Sequence, residues 1–164
     1  MEFDHSIKGQ MHRFVIRVHR VVTDDVVRQV SALTDQCFSI RPLSYPSPSS
    51  VYVIEHDGRP VALAAVTSKP IIPVSDSLYL YNVCTLPSFR SNGLQQILLK
   101  WVISDLRGMV DGSSVNLALI VNTQNASAIR LYTRLGFVTV STITTGTPDG
   151  QPNNLMTLRL FSDV

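Results

Sequence analysis

Residues 13–22 alternate between polar and hydrophobic side chains, with Arg and His set between Phe, Val and Ile. A period of two is typical of a β-strand with one face in water. Thr23 follows as a candidate N-cap, and Asp24 and Asp25 suit the positive end of a helix dipole. Apolar side chains then recur at helical spacing as far as Cys37. The pattern predicts a first strand and then a helix of about three to four turns.

A segment that suits neither helix nor sheet comes next. Residues 41–50 contain three prolines and four serines, which predicts a loop. Residues 51–55 and 60–67 are rich in β-formers and are joined by residues 56–59, where Asp-Gly is a strong hairpin signal. Residues 78–85 form the next predicted strand.

The clearest helical pattern lies between Leu94 and Met109, where apolar residues follow the i, i+3, i+4, i+7 spacing. The elements predicted after it are a nearly continuous apolar strand at 115–121, a helix at 126–135 closed by Gly136, and two strands at 138–144 and 155–161. Strands and helices mixed in this order predict an α/β (α+β) fold, with a mixed sheet and helices on its faces.

The composition fits one domain over residues 1–164, with 45% hydrophobic and 16% charged residues. The longest apolar run, 61–66, has six residues, far fewer than the roughly twenty of a membrane-spanning helix. A net charge of +2 without a run of Lys or Arg predicts no nucleic-acid partner. The first residues lack the basic start and apolar stretch of a signal peptide, so we expect a cytoplasmic protein with no membrane partner.

The chain has two cysteines, Cys37 and Cys84, and no Cys or His pair at the spacing of a zinc site. Two cysteines cannot build a disulfide-rich secreted scaffold, so we expect reduced thiols and no bound metal. By strand alternation, Cys84 points to the sheet face that is covered by a helix. Cys37 is expected on the core-facing side of its predicted helix. Both are expected to act in packing rather than as nucleophiles.

The segment 83–95 leads from a strand through Pro and Gly into the start of a helix. Such a start leaves several backbone N–H groups unpaired beside the positive end of the helix dipole, which is the geometry that binds a phosphate. Alone, the segment is better explained as an ordinary helix start, with Ser91 or Asn92 as the cap.

A second segment decides the interpretation. Residues 125–137 follow the predicted buried strand and read Asn-Ala-Ser-Ala-Ile-Arg-Leu-Tyr-Thr-Arg-Leu-Gly-Phe. Together with Arg90-Ser-Asn-Gly-Leu-Gln95, they resemble the two motifs of the GNAT superfamily of acyl-CoA-dependent N-acyltransferases. The second motif matches at Asn125, Ala128, Tyr132, Gly136 and Phe137. The first departs from the family pattern at Gln95, where Gly or Ala is usual.

The resemblance implies a mixed, mostly antiparallel sheet of six to seven strands, with helices on both faces and a splayed central strand pair. It implies acetyl-CoA as co-substrate and a set of cofactor-binding residues: Val83, Cys84, Thr85, Arg90, Ser91, Asn92, Gly93, Gln95, Gln96, Asn125 and Tyr132. In that arrangement the pantetheine arm pairs with the strand at Val83 and Thr85, and the loop amides with Arg90 hold the pyrophosphate.

Tyr132 is the catalytic residue that the resemblance implies, as general acid to the departing CoA thiolate. The pKa of a thiol is about 8.5 and that of a phenol is about 10, so full proton transfer from the phenol to the thiolate is uphill by roughly 2 kcal/mol. A hydrogen bond to the developing thiolate, with transfer completed late, is therefore the expected role. The alternative is a packed helical aromatic, at the spacing of Ala128, Leu131 and Leu135.

The group that removes the amine proton is harder to identify. The strands at 78–85 and 115–121 carry no carboxylate, which implies a base acting through water. The acceptor-site candidates are Asp76, Tyr79 and Tyr81. By the period of two, the tyrosines share a strand face with Val83 and Thr85. For the tyrosines, packing between strands is equally open.

Glu55 and Asp57 lie at a predicted hairpin, where a structural role is preferred, and His56 is expected to be a solvated turn residue.

The expected function is transfer of acetyl from acetyl-CoA directly to an amine of a small molecule or a protein N-terminus, by a monomer or homodimer. The acceptor is expected between residues 39–50 and 147–154, which are poor in carboxylates and so do not favour a polycationic acceptor. The alternative is a non-catalytic acyl-CoA-binding sensor or partner module on the same fold.

Overall fold

The computed structural model of the chain describes residues 1–38, 48–69, 77–147 and 150–161. The elements in these residues are β1 (Glu2–Ile7), β2 (Gln10–His19), α1 (Asp24–Cys37), β3 (Ser50–His56), β4 (Arg59–Thr67), β5 (Ser77–Thr85), α2 (Leu94–Met109), β6 (Val115–Asn122), α3 (Ala126–Arg134), β7 (Val138–Ile143) and β8 (Asn153–Leu160). A short 3₁₀ turn at Pro87–Phe89 precedes α2. No described helix is long and apolar enough to cross a membrane.

The strands form one sheet in the order β1-β2-β3-β4-β5-β6-β8-β7. Strands β5 and β6 pair in parallel, whereas the β1–β2, β2–β3, β3–β4, β6–β8 and β7–β8 pairs are antiparallel. The parallel register covers only Ser77–Tyr79 against Asn116–Ala118, although β5 continues to Thr85. The pairing confirms the predicted mixed, mostly antiparallel sheet. The hydrogen bonding between β5 and β6 stops early, as in a splayed strand pair.

Among the described residues the sheet has eight strands rather than the expected six to seven, because a hairpin precedes the predicted first strand. Lys8 and Gly9 both have positive φ, 50° and 81°, which suits a tight turn between β1 and β2. The predicted first strand at 13–22 therefore starts earlier, at Gln10, and ends at His19. The predicted Asp-Gly hairpin is confirmed, since Asp57 and Gly58 have φ values of 49° and 72°.

The described residues fall into two compact units, of which the first comprises 1–38, 48–66 and 82–102. Thr23 caps α1 as predicted, its Oγ1 accepting a hydrogen bond from the Val26 N–H. One face of β3 packs on α1 through a buried cluster: Val26, Leu33, Val51, Val53, Leu63 and Cys84. On the other face Tyr52 meets Trp101 of α2 edge to face, with 6.0 Å between ring centres. Helices thus cover both faces of this part of the sheet.

The second unit comprises 67–69, 77–81, 103–147 and 150–161. Strand β6 pairs along its whole length with β8, from Val115 with Leu160 to Asn122 with Asn153. Gly136 follows α3 with φ of 96°, a conformation that favours glycine, and so ends the helix as predicted.

Candidate active site

The loop between β5 and α2 has an unusual backbone. After the 3₁₀ turn, Ser91 has φ of 62° and Gly93 has φ of 78°, and α2 begins at Leu94. Left-handed residues alternating with ordinary ones turn successive N–H groups toward one side of the chain. The loop is therefore shaped to present its amides.

These amides are available. In the described part of the chain, no backbone N–H from Ser91 to Gln96 donates a hydrogen bond to the protein, and the first helical bond runs from Ile97 N to Gly93 O at 3.1 Å. Unpaired N–H groups and the positive end of the α2 dipole favour an anion here. The backbone of this loop thus suits an anion, and the cofactor role of its residues stays a prediction.

Arg90 links this loop to two other elements. Its Nε donates to the carbonyl oxygen of Thr85 at 2.9 Å, and its Nη2 donates to that of Cys37 at 3.4 Å. The side chain is thereby held between the ends of β5 and α1. Its charge stays at the loop, where it adds to the attraction for an anion.

Gln95 departs from the family pattern, and its side chain lies against β5. The Thr85 hydroxyl donates to Gln95 Oε1 at 2.7 Å. The Gln95 Nε2 is buried and has no hydrogen-bond partner among the described residues. Gln96, one residue on, is half-buried. Gln95 therefore ties the first turn of α2 to the end of β5.

Strand β5 does not alternate regularly. Asn82 has φ of 49°, a left-handed conformation inside the strand. Val83 is half-buried, whereas Cys84 and Thr85 are buried. Cys84 packs in the buried cluster between β3 and α1, which agrees with the prediction that it points to a face covered by a helix.

The same residue corrects an expectation. The inference that Tyr79 and Tyr81 share a face with Val83 and Thr85 assumed unbroken alternation, which the left-handed Asn82 interrupts. Tyr79 and Tyr81 are both buried and stack on each other, with 5.9 Å between ring centres and 18° between planes. This contact lies within β5 and not between strands, so the acceptor-site role of the two tyrosines stays a prediction.

Some acceptor-site predictions lie outside the described residues. These are Asp76, residues 39–47 of the predicted first acceptor loop and residues 148–149 of the second.

Tyr132 lies in α3 with its ring buried, only 7% exposed. The ring meets Phe137 edge to face at 5.8 Å. Burial raises the pKa of the Tyr132 phenol. No hydrogen-bond partner for its hydroxyl occurs within the described ranges. The hydroxyl is therefore a protonated donor that the described protein does not use.

Asn125 has a structural role that sequence reasoning did not assign. Its Oδ1 accepts a hydrogen bond from the Ala128 N–H at 3.2 Å, which makes it the N-cap of α3. The signal was present, because Asn directly before a helical pattern is a preferred N-cap. The side-chain amide N–H groups of this exposed residue remain for another acceptor.

The residues predicted for the cofactor occur in both compact units. Val83, Cys84, Thr85, Arg90, Ser91, Asn92, Gly93, Gln95 and Gln96 belong to the first, and Asn125 and Tyr132 to the second.

Other polar residues near β3 act in packing. Glu55 accepts a hydrogen bond from Arg17 Nε at 2.7 Å, which supports the structural role expected of it. His56 is not a solvated turn residue as expected. Its ring is half-buried and packs against Phe14 and Phe89, with ring centres 5.0 and 5.5 Å away.

A further contact to the loop comes from the unpredicted strand β1. His5 Nε2 is hydrogen-bonded to the backbone oxygen of Asn92. The signal for it was the alternation of residues 2–7, which show the burial pattern of an edge strand.

The comparison with known protein families bears on all these residues. A model of the acetyltransferase (GNAT) family matches residues 19–137. The chain belongs to the GNAT acetyltransferase family. This confirms the predicted family and with it the enzyme class, an acyl-CoA-dependent acyltransferase with acetyl-CoA as co-substrate.

Comparisons with individual proteins show similarity over part of the chain or at low sequence identity. A [ribosomal protein bS18]-alanine N-acetyltransferase of Salmonella typhimurium is 41% identical over 66 residues, which is 39% of this chain and 41% of that protein's length. The ribosomal-protein-S18-alanine N-acetyltransferase of Escherichia coli superposes with a TM-score of 0.70 at 22% identity, over 90% of this chain and 95% of that one. The structure of yncA from Salmonella typhimurium with its cofactor acetyl-CoA gives 0.68 at 17% identity, over 92% and 96%. The two superpositions show a shared fold.

Proposed function

We propose that this GNAT protein transfers the acetyl group of acetyl-CoA directly to the α-amine of a protein N-terminus, within a ternary complex. We assign the activity to residues 1–164 as a single acetyltransferase domain. The observation that carries the choice of acceptor is that neither β5 nor β6, the two central strands, contains a carboxylate.

The acceptor argument rests on the cost of removing a proton. A lysine amine with a pKa of about 10.4 is neutral in about one molecule in 2,500 at pH 7, which costs roughly 4.6 kcal/mol. An α-amine with a pKa of about 7.8 is neutral in about one molecule in seven, which costs only about 1 kcal/mol. A site without a strand carboxylate, in which water carries the proton away, therefore suits an α-amine.

The similarity to the bS18-alanine N-acetyltransferase supports the same choice, because alanine at a protein N-terminus presents an α-amine. The likeness extends over 41% of that relative, so the acceptor is our proposal for this chain.

We assign the pyrophosphate of acetyl-CoA to the amides of Ser91–Gln96 and to Arg90. The support is the row of unpaired N–H groups at the start of α2. A hydrogen bond to a charged acceptor contributes about 1.5–3 kcal/mol, so a few of these amides suffice for micromolar binding. The pantetheine is assigned to the backbone of Val83, Cys84 and Thr85, beyond the point where the β5–β6 register ends, and to the amide of Asn125.

Tyr132 is our general acid. The amine nitrogen attacks the thioester carbonyl carbon, the C–S bond breaks as the tetrahedral intermediate collapses, and the electron pair leaves on sulfur. Because burial raises its pKa, the phenol stays protonated until the thiolate has formed, and it donates a hydrogen bond to that sulfur. The proton then crosses late, when the thiolate has fully developed.

The test uses three matched peptides with acetyl-CoA, followed by release of free thiol. One begins with a free alanine, the second has the same sequence with a blocked N-terminus, and the third is the blocked peptide with an added internal lysine. We expect turnover with the first peptide alone. Equal kcat/KM for the third would contradict the choice of acceptor. Binding of acetyl-CoA without turnover on any of them would favour a non-catalytic module.

A further inference from the structure

The two cysteines of the chain meet beside the proposed pyrophosphate loop. Cys37 is the last residue of α1, and Cys84 lies in β5. Cys84 is buried, and Cys37 is partly buried and packs against the same apolar cluster. A hydrogen bond between the two thiols is the largest cause of the shift in the pKa of each, down for Cys37 and up for Cys84. Two cysteines far apart in the sequence thus pack against the same cluster in the fold.

The two thiols differ in reactivity. The hydrogen bond from Cys84 lowers the pKa of Cys37, and the charge of Arg90 lowers it further, against the effect of burial. The pKa of Cys84 is raised by its hydrogen bond to Cys37 and by burial. A thiolate is the nucleophilic form of cysteine, so Cys37, which is less buried than Cys84, is the one that attacks an oxidant.

Arg90 connects this pair to the loop. It donates hydrogen bonds to the carbonyl oxygens of Cys37 and of Thr85, the residue after Cys84. The guanidinium that we assign to the pyrophosphate therefore also supports the Cys37 thiolate.

We propose that Cys37 and Cys84 form a peroxide-reactive site that closes to a reversible disulfide and thereby lowers the affinity for acetyl-CoA. In the first step Cys37 Sγ attacks an oxygen of hydrogen peroxide, the O–O bond breaks, and hydroxide leaves. This oxidises Cys37 to a sulfenic acid. In the second step Cys84 Sγ attacks Cys37 Sγ, the S–O bond breaks, and water leaves. Two thiols are oxidised to one disulfide, and the peroxide is reduced to two waters.

The effect on the cofactor rests on the proposed function. A disulfide would fix the end of α1 to the residue between Val83 and Thr85, whose backbone we assign to pantetheine. Any weakening of acetyl-CoA binding by the disulfide must be matched by an equal shift of the disulfide toward its reduced form when acetyl-CoA binds. Acetyl-CoA is therefore expected to protect the thiols.

The first experiment tests the chemistry without acetyl-CoA. Reduced protein is treated with one equivalent of hydrogen peroxide and measured by intact mass and peptide mapping. We expect the loss of two hydrogens, a cross-link between the Cys37 and Cys84 peptides, and reversal by dithiothreitol. Cys84→Ser should stop at a sulfenic acid on Cys37 that dimedone traps, and Cys37→Ser should form neither product. A cross-link between two chains, or no reaction at Cys37, overturns the proposal.

The second experiment measures the dissociation constant of acetyl-CoA for reduced and oxidised protein. We expect about tenfold weaker binding after oxidation, full recovery on reduction, and no effect of peroxide on Cys37→Ser, which keeps its turnover when reduced. Equal affinity of the two forms overturns the regulatory part of the proposal. Failure of reduced protein to bind acetyl-CoA would refute the proposed function instead, whereas the first experiment would still report on the disulfide.

Discussion

Gln95 gives the sharpest test of how the loop is built. Its Oε1 accepts a hydrogen bond from the Thr85 hydroxyl at 2.7 Å, while its Nε2 is buried without a partner in the described structure. Gln95→Ala removes one hydrogen bond worth about 0.5–1.5 kcal/mol and leaves the Thr85 hydroxyl unpaired, at about 1–3 kcal/mol. It also removes the unpaired amide, whose burial costs a similar amount. The two desolvation costs cancel, so we expect a net loss of about 1 kcal/mol.

The matched variants separate these contributions. Thr85→Val alone leaves the whole Gln95 amide unpaired, so we expect a loss of about 1–3 kcal/mol. Thr85→Val with Gln95→Leu removes both polar groups and should lie within about 1 kcal/mol of the parent. Denaturant unfolding measures all three free energies. A Gln95→Ala variant that loses more stability than Thr85→Val would refute this reasoning.

The same variant answers a question about the cofactor. Because the Gln95 side chain is bonded to Thr85 and its Nε2 is buried, we expect it not to contact the cofactor. We therefore expect Gln95→Ala to change the KM for acetyl-CoA by less than about threefold, far below the effect of a lost charged hydrogen bond. A rise of tenfold or more would show that the side chain itself binds the cofactor.

Three other predictions follow from the second unit. Tyr132→Phe should lower kcat by about 10- to 100-fold, since a hydrogen bond to a charged group is worth about 1.5–3 kcal/mol, and should leave the KM for acetyl-CoA nearly unchanged; full kcat would remove the assigned role. Burial raises the pKa of Tyr132, so the contribution of the phenol to stability is complete below about pH 10 and declines as the pH rises beyond that value. The free energy of unfolding should therefore fall between pH 9 and pH 11, and it should fall less in Tyr132→Phe. The pH profile of kcat should show no loss of activity from this phenol below pH 10. Gly136→Ala should destabilise the folded protein by about 1–2 kcal/mol, because the φ of Gly136 is 96° and a Cβ there would lie 3.2 Å from Leu158 Cδ1. The control is Gly108→Ala, since Gly108 lies inside α2 with open space around it. This variant should stabilise the protein by about 0.5–1 kcal/mol.

Much of the fold could be predicted because local signals coincide with tertiary packing. Thr23, the Asp57-Gly58 turn and Gly136 each require a specific backbone conformation, and the chain adopts it at all three. Strand β1 escaped prediction although its alternation is regular. Its outward residues are polar and its inward ones include His5, so hydrophobicity alone does not separate it from an irregular terminus.

The candidate site shows more clearly what the sequence cannot predict. The motif predicts a loop before α2, and the unpaired amides of Ser91–Gln96 agree with it. The left-handed Asn82 is not encoded by any period, so the faces of Tyr79 and Tyr81 could not be read from alternation. The meeting of Cys37 with Cys84 depends on how α1 lies on the sheet, which no local pattern records.

The most direct test of the proposed activity is to find where the acetyl group goes. A peptide with a free N-terminal alanine and one internal lysine is incubated with the protein and isotopically labelled acetyl-CoA, and fragmentation mass spectrometry locates the label. We predict one label on the α-amine, one CoA thiol released per label, and a large loss of rate with Tyr132→Phe. Label on the lysine, or none at all while acetyl-CoA still raises the melting temperature, would contradict the account.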